Sequence, residues 1–500
     1  MKPEEAPSDL RPYLIPRPRP GLGYHCLACG RAEPPERLHY TCPACGGLLL
    51  LEDEAAETLK NFSGEFWRRL FDCRRLLNLQ PLRGVFTFHE FLAPLIPLED
   101  VIYLGEGHTP VVALPPHFAA AFGLEVFIKH DGLNPSASFK DRGMAAALSY
   151  LNYLRRTRGL KDVLAVCAST GDTSAAAALY AAALGPAVKP AVILPQGKVT
   201  PAQLGQPLGA GARVFELPGV FDDCMKVVEH LSERYEVALL NSKNPWRVLG
   251  QESYAFEAAQ AFDYEMGDLA LFLPVGNAGN LTALLSGLLK LHRYGLIERL
   301  PKVGAVQSAQ ADPVFRYYSQ PGPDRVYQPV TVQPSVAQAA MIGDPVSFPR
   351  VVRLAEEYRR LAGDGHFFVV QVTESEIMDH MIRANRAGLT VCTQGGEALA
   401  GLAAAVKLGL VRPGRDRALV ASTAHALKFA DFQSAYWAGG LERDYGVKTN
   451  PDLVNQPLSP SLADAPRPEP GRAQSPAERA AYVAAAAEAV ARALGLQAKT

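Results

Sequence analysis

Val163-Leu164-Ala165-Val166-Cys167-Ala168-Ser169-Thr170-Gly171-Asp172-Thr173-Ser174-Ala175-Ala176-Ala177-Ala178 carries the fold in miniature. An apolar run too short for a helix ends in a loop of hydroxyls and one glycine, which opens an Ala-rich segment of helical composition. A strand apolar on both faces that passes directly into a helix belongs to a parallel sheet covered by helices. The same alternation runs outward in both directions. Upstream lie Val126-Phe127-Ile128 and the helical stretch Met144 to Leu154. Downstream come Ser174 to Leu184, Ala191 to Leu194, Arg213-Val214-Phe215, Leu269 to Leu273, Gly304-Ala305-Val306, Phe367 to Val370 and Ala418 to Ala421. About 330 residues of such alternation exceed one comfortable sheet, so two doubly wound, open parallel or mixed α/β domains flanking a cleft are predicted.

The remaining sequence frames this region. The chain has 500 residues, 48% hydrophobic and 20% charged, with 50 Lys+Arg against 51 Asp+Glu for a formal charge of −1. These proportions exclude a disordered, collagenous or coiled-coil chain. A chain-wide nucleic-acid surface needs a basic excess that is missing here. No run of eighteen uninterrupted apolar residues occurs, so no membrane span is predicted. Met1-Lys2-Pro3-Glu4-Glu5 has no apolar core behind it, so no secretory leader is expected and the cytoplasm is the expected compartment. Residues 1–20, rich in Pro and Arg, read as an extended arm. The α/β region is assigned to 53–455, its smaller half to about 150–270, a Pro/Ser/Ala-rich linker to 456–477 and a final Ala-rich helix to 478–500.

Four of the eight cysteines form a pattern. Cys26, Cys29, Cys42 and Cys45 make two Cys-x-x-Cys pairs, each followed by glycine (Gly30, Gly46), inside a module at 21–52. Such turns aim paired thiolates at one tetrahedral ion, and a site closed by four protein ligands is structural rather than catalytic. A small N-terminal zinc ribbon is therefore predicted. Lying outside the other motifs, it is expected to matter for stability or assembly more than for chemistry. His25 and His39 read as ordinary surface residues, and Cys73, Cys167, Cys224 and Cys392 as buried reduced thiols.

Ligands of parallel α/β sheets bind where strands give way to helices. Four such loops carry chemistry here. Asn134 to Gly143 holds Lys140 at the opening of a helix, whose N-terminus depresses an amine pKa. Ser169 to Ser174 offers hydroxyls and free N–H groups suited to a carboxylate or phosphate. Pro274-Val275-Gly276-Asn277-Ala278-Gly279-Asn280 can wrap an anion in backbone N–H groups. It is neither a Walker loop nor a dinucleotide fingerprint. Ser422 to Lys428, after the strand Leu419–Ala421, presents hydroxyls able to reach a ring nitrogen. Singly these read as a solvated lysine, an N-cap, a turn and a second N-cap. Together they supply what a pyridoxal phosphate enzyme needs: an amine, a carboxylate cradle, a phosphate cup and a partner for a pyridine nitrogen.

With these motifs in order, the stretch from about Gly105 to Phe429 resembles the threonine synthase family of fold-type II pyridoxal phosphate enzymes, whose architecture is tryptophan synthase β-like. The matching segments are Gly107-His108-Thr109-Pro110, Ser138 to Gly143, Ser169 to Ser174, Gly276 to Asn280 and Ser422 to His425. Asn241-Ser242 and Ile342-Gly343-Asp344-Pro345-Val346-Ser347 look like the plant-type branch. The resemblance implies that Lys140 holds pyridoxal 5'-phosphate covalently and moves protons at the substrate's α and β carbons. It implies that Gly276, Asn277, Ala278, Gly279 and Asn280 hold the cofactor phosphate, that Thr423 faces the pyridine nitrogen and that Asp172 faces the phenolic oxygen. Ser169 and Thr170 would take the substrate carboxylate. Thr173, Ser242, Arg247 and Asn277 would surround the phosphate of O-phospho-L-homoserine, and a homodimer is the common assembly of this fold group.

Two positions depart from the more usual pattern, Asp172 for Asn and Ala426 for Gly. An ionised Asp172 would repel a phenolate, so a proton is expected on it or between the two. The stretch Thr393-Gln394-Gly395-Gly396-Glu397 is unusual and receives no role. A threonine/serine dehydratase or related amino-acid phospholyase is the rival within the same cofactor class, and a catalytically silent binding protein the rival outside it. The Ser242/Arg247 pair speaks against a plain dehydratase, whose substrate carries no phosphate, and Lys140 against a silent protein.

Overall fold

Leu269-Ala270-Leu271-Phe272-Leu273 is apolar at every position and buried at every position, as a strand covered on both faces must be. The computed structural model describes all residues except 161–162, 170, 197–200, 220, 463–467, 469–470 and 498–500. Its strands are β1 (Leu22–Cys26), β2 (Ala32–Glu33), β3 (Leu49–Asp53), β4 (Val111–Ala113), β5 (Val126–His130), β6 (Val163–Ala168) and β7 (Val188–Pro195). Then follow β8 (Arg213–Leu217), β9 (Val237–Leu239), β10 (Leu269–Pro274), β11 (Lys302–Ser308), β12 (Phe367–Val372) and β13 (Arg417–Ser422).

They form three sheets. β2-β1-β3 is a small antiparallel ribbon, β12-β11-β10-β13-β5-β4 the large sheet and β8-β7-β6-β9 the small one. Every pair in the large sheet is parallel except β4 on β5, and the small sheet is parallel throughout. The small sheet is inserted in the chain between β5 and β10 of the large one. Two sheets, one mixed and one parallel, agree with the expected α/β class.

Two helices bracket the insertion, Lys140–Arg158 leading in and Pro245–Gln251 leading out. They cross closely because Gly250 packs against the carbonyl of Arg142, and a Cβ on Gly143 would lie 2.9 Å from the carbonyl of Arg247. The core changes sides just beyond. Trp246 and Leu249 pack with Met144, Leu148 and the small sheet, while Tyr254 and Phe256 pack with the large-sheet core. That crossover precedes the expected limit near 270, because the helix Ser253–Ala261 turns its apolar face to the helix Gly279–Arg293.

The first twenty residues, expected as an extended arm, form two 3-10 turns, Pro3–Glu5 and Arg11–Tyr13. Ala6, Leu10 and Leu14 are buried against Leu70 and Phe71, so apolar residues between the prolines override the extended tendency. The chain divides into two compact units, Met1–Asn450 and Pro451–Thr500. In the second, the helix Pro476–Leu494 starts at Ser475, whose hydroxyl and Glu478 form a capping box.

Candidate active site

Three loops leave the large sheet side by side, because β10, β13 and β5 are neighbours and run the same way. β10 leads into Val275–Asn280, β13 into Thr423 and β5 into the loop that ends at Lys140. The lysine and threonine loops are also tied directly. The Phe139 N–H donates to the Thr423 carbonyl at 2.8 Å, and the His425 N–H donates to the Ala137 carbonyl at 3.0 Å. Ala137 accepts a left-handed backbone (φ 62°) to make that turn. In the small sheet, β6 and β9 are neighbours, so the loops carrying Asp172 and Ser242 also meet. The Asn241 side chain joins them, accepting from the Ala168 N–H at 3.0 Å and donating to its carbonyl at 2.7 Å.

The five loops close on one cleft, lined by Phe139, Lys140, Asp172, Ser242, Arg247, Gln251, Gly276 to Asn280, Ala339, Ala340, Gln394 and Thr423 among others. Lys140 opens its helix with its ammonium 4.2 Å from the centre of the Phe139 ring. Its amine lies on the cleft wall, half-buried among protein atoms that strip away much of its water. That desolvation, with help from the Arg247 charge and against the attraction of Asp172, brings it down to about 7.

Arg247 is 3% exposed. Its Nη1 donates to the Leu240 carbonyl at 2.9 Å, its Nε has no hydrogen-bond partner, and no carboxylate among the described residues pairs with it. Burial lowers the guanidinium to about 10. At the opposite loop, Ala278 adopts a left-handed backbone (φ 60°) and caps the fifteen-residue helix Gly279–Arg293. A Cβ on Gly276 would lie 2.9 Å from the Ala340 Cα, so glycine lets the loop press against that segment. Free N–H groups at a helix N-terminus favour an anion.

A family model described as pyridoxal-phosphate dependent enzyme matches residues 102–423. Threonine synthase 2, chloroplastic, of Arabidopsis thaliana is 35% identical over 416 residues, 82% of this chain and 77% of that protein. Threonine synthase of Methanocaldococcus jannaschii is 32% identical over 409 residues, 81% of this chain and 93% of that protein. The chain belongs to the threonine synthase family of pyridoxal-phosphate dependent enzymes. The crystal structure of threonine synthase from Escherichia coli shares the fold, with a TM-score of 0.61 at 22% identity over 86% of this chain and 93% of that one.

Of the residues singled out in the sequence by likeness to the threonine synthase family, the cleft brings together Lys140, Asp172, Ser242, Arg247, Gly276, Asn277, Ala278, Gly279, Asn280 and Thr423. Ser169 and Thr173 flank Asp172 without lining the cleft, and Thr170 lies outside the described residues. Asp172 is not the N-cap that its place in the loop suggests. Gly171 takes that position and Asp172 is the first helical residue. Its carboxylate is paired instead, 2.8 Å from the Lys428 ammonium, which also donates to the Ser136 carbonyl at 3.0 Å.

Lys428, Gln251 and Gln394 were not singled out. Gln394 is buried on the cleft wall with both amide atoms unpartnered. It lies in the first turn of the helix Thr393–Lys407, beside the N-cap Cys392, whose Sγ is 3.8 Å from the Thr423 hydroxyl. Its only sequence signal was the unusual stretch Thr393 to Glu397.

A second cluster lies in the ribbon. The Sγ atoms of Cys26, Cys29, Cys42 and Cys45 all fall within 4.8 Å of one another. Gly30 and Gly46, both at φ 73°, let the Gly30 N–H reach the Cys26 carbonyl and the Gly46 N–H reach the Cys42 carbonyl. Among the described residues, no helix is long and apolar enough to cross a membrane.

Proposed function

We propose that the protein acts as a threonine synthase, converting O-phospho-L-homoserine and water to L-threonine and phosphate with pyridoxal 5'-phosphate. The observation that carries this reading is Arg247, a buried guanidinium with no carboxylate partner, in the same cleft as Lys140 and across from a glycine-rich helix N-terminus. An unpaired buried cation is costly unless an anion joins it. One phosphate fits the N-terminus of Gly279–Arg293, so Arg247 implies a second anion, here the phosphate that leaves the substrate.

The cleft suits the cofactor. An anion cradle, an amine of low pKa and a hydroxyl at a third strand end converge from neighbouring loops. When bound, pyridoxal phosphate supplies an electron sink for carbanion chemistry at the substrate. Gly276, Asn277, Ala278, Gly279 and Asn280 would hold its phosphate, and Thr423 would face its pyridine nitrogen. An amine near pH 7 can take and return a proton at physiological pH, so Lys140 serves as both base and acid at the α and β carbons. Lys428 changes the expectation for Asp172. With an ammonium 2.8 Å away, an ionised Asp172 presents an ion pair rather than a bare negative charge to a phenolic oxygen. Ser242, Arg247, Asn277 and Thr173 would take the substrate phosphate, and Ser169 and Thr170 its carboxylate. A planar guanidinium suits phosphate oxygens.

The decisive experiment incubates the purified protein with O-phosphohomoserine and measures threonine and phosphate. Equal yields are expected. A 2-oxo acid and ammonia from threonine, with no turnover of the phosphate ester, would instead mark the dehydratase. The protein is read as a cytoplasmic homodimer whose partner is its small-molecule substrate rather than nucleic acid or membrane.

The ribbon is read as holding one structural zinc. Cys26–Cys45 and Cys29–Cys42 sulfur separations of 3.5 and 3.7 Å fit four ligands about one ion. Zn–S bonds of about 2.3 Å give a tetrahedral edge of about 3.8 Å. Metal analysis of a Cys42→Ala/Cys45→Ala variant should show the zinc lost, and unchanged zinc would sink the site.

A further inference from the structure

The ribbon does more than cover a surface, because its contacts converge on the chain segment that carries Ser242 and Arg247. Each cysteine knuckle is preceded by a tyrosine, in Tyr24-His25-Cys26 and Tyr40-Thr41-Cys42. Both hydroxyls are planted in that segment. The Tyr40 hydroxyl donates to the Val237 carbonyl at 3.2 Å and accepts from the Leu239 N–H at 3.0 Å, holding β9. The Tyr24 hydroxyl accepts from the Trp246 indole at 3.0 Å, and that indole stacks on Tyr150 at 3.8 Å between ring centres. Trp246 is the immediate neighbour of Arg247.

Arg350 completes the connection. It is wholly buried, and no carboxylate among the described residues pairs with it. Its Nε and Nη2 donate to the carbonyl of Leu49, which pairs with Cys26 across the ribbon. Its Nη1 donates to the Ser242 carbonyl at 3.1 Å and its Nη2 to the Lys243 carbonyl at 3.0 Å. Nη1 also reaches the Ser347 hydroxyl at 3.1 Å, and the Ser347 N–H donates to the Asn277 carbonyl. One side chain thus joins the ribbon to Ser242 and, through Ser347, to Asn277. A buried guanidinium satisfied by carbonyls from two separate segments, the ribbon and residues 242–243, fixes their spacing, because its planar fork has no freedom to follow one of them away.

We propose that the cysteine ribbon is a positioning element of the substrate-phosphate site, acting through Arg350, Tyr24 and Tyr40 on the segment 237–247. This rests on the assignment of Ser242 and Arg247 to the substrate phosphate. It departs from the expectation that the ribbon matters for stability or assembly more than for chemistry. A looser ribbon weakens binding of the phosphate more than it disturbs Lys140 and Thr423, whose loops leave the large sheet.

The test uses the full-length holoenzyme and two readouts, calorimetric binding of inorganic phosphate and steady-state kinetics. The Tyr24→Phe/Tyr40→Phe double variant removes both hydroxyls, and with them the bonds to Val237, Leu239 and Trp246. Phosphate affinity and KM for O-phosphohomoserine should weaken about 5- to 30-fold, with kcat changed less than about twofold. Residual threonine deamination and the visible absorption of the bound cofactor should hold. Arg350→Met should have the larger effect and Arg350→Lys should recover part of it; if Arg350→Met does not fold, the tyrosine pair alone decides. Unchanged phosphate affinity in the double variant, or equal losses with and without a substrate phosphate, overturns the proposal. Arg247→Ala separates the two levels. If it also leaves phosphate binding intact, the phosphate site itself is misassigned. If it alone weakens binding, only the ribbon coupling is wrong.

Discussion

Arg142 and Arg247 are both buried arginines on the paired helices that bracket the small sheet, yet their surroundings are opposite. Arg142 is bound by Asp131 at 2.7 Å and Glu257 at 2.5 Å, and Lys129 shares Glu257 at 2.7 Å. Those cations hold the Glu257 carboxyl well below its ordinary range despite burial. Arg247, by contrast, finds one carbonyl and no anion. The first arrangement is complete within the chain and fixes the base of the lysine helix. The second is incomplete, and so is the Gln394 amide on the same cleft wall, beside the half-exposed Lys140 amine. Polar groups that the fold buries and leaves unpaired mark where a ligand belongs.

That contrast can be tested at each end. Removing the amine should have the largest effect: Lys140→Ala should lose turnover by about 10⁴-fold and abolish the visible absorption of lysine-bound cofactor. Normal turnover in that variant would remove the lysine from the mechanism. Next comes the complete side. Glu257→Gln strips two buried cations of their shared anion and should cost about 3–5 kcal/mol in denaturant unfolding. Arg247→Ala should do the reverse, lowering kcat/KM for O-phosphohomoserine about 30- to 1000-fold, as loss of a charge-assisted contact of about 2–4 kcal/mol requires. Its Tm should not fall, because the native state loses an unpaired buried charge. A drop in Tm with equal losses on threonine deamination would make Arg247 structural, like Arg142.

Acidity probes the incomplete side more gently. An amine lowered to about 7 is free above that pH and protonated below it. Loading of cofactor into the apoprotein should therefore slow about tenfold for each unit below about pH 7 and level off above it, as seen in the growth of visible absorption. A profile still rising through pH 9 would place the amine in ordinary solvent. The smallest effect is expected from Gln394→Leu, which fills the same space without hydrogen-bonding atoms. A loss of about 2- to 12-fold in kcat/KM is expected, the value of one neutral hydrogen bond. No change would mean that the amide touches neither cofactor nor substrate.

The loops were legible in the sequence because each carries its chemistry locally. Gly276, Ala278 and Gly279 follow a continuous apolar strand, and Lys140 opens a helix at the end of the loop that follows another. That Cys26, Cys29, Cys42 and Cys45 come together was legible from their spacing. What stayed hidden depends on distant partners. Nothing near Lys428 announces Asp172, and Gln394 reaches the cleft because its helix packs across the large sheet. The three-residue edge strand β4 is too short to show a period, and Leu10 and Leu14 gave no signal against the prolines around them. Arg350 has no sequence signature at all, since its acceptors are backbone carbonyls that any residue provides.

The order of strands also has a consequence for how the molecule comes into being. β13 sits in the middle of the large sheet, between β10 and β5, yet it is the last strand of the chain. Val126 must wait for Ala418 before it has its parallel neighbour, whereas the small sheet completes its pairings between Val163 and Leu239. On the ribosome the inserted sheet can therefore form early from nearby contacts, while the larger one stands open until nearly the whole chain has emerged. A nascent chain that stopped before Arg417 would hold a folded inner domain beside a split sheet with two bare edges, open to pairing with other chains.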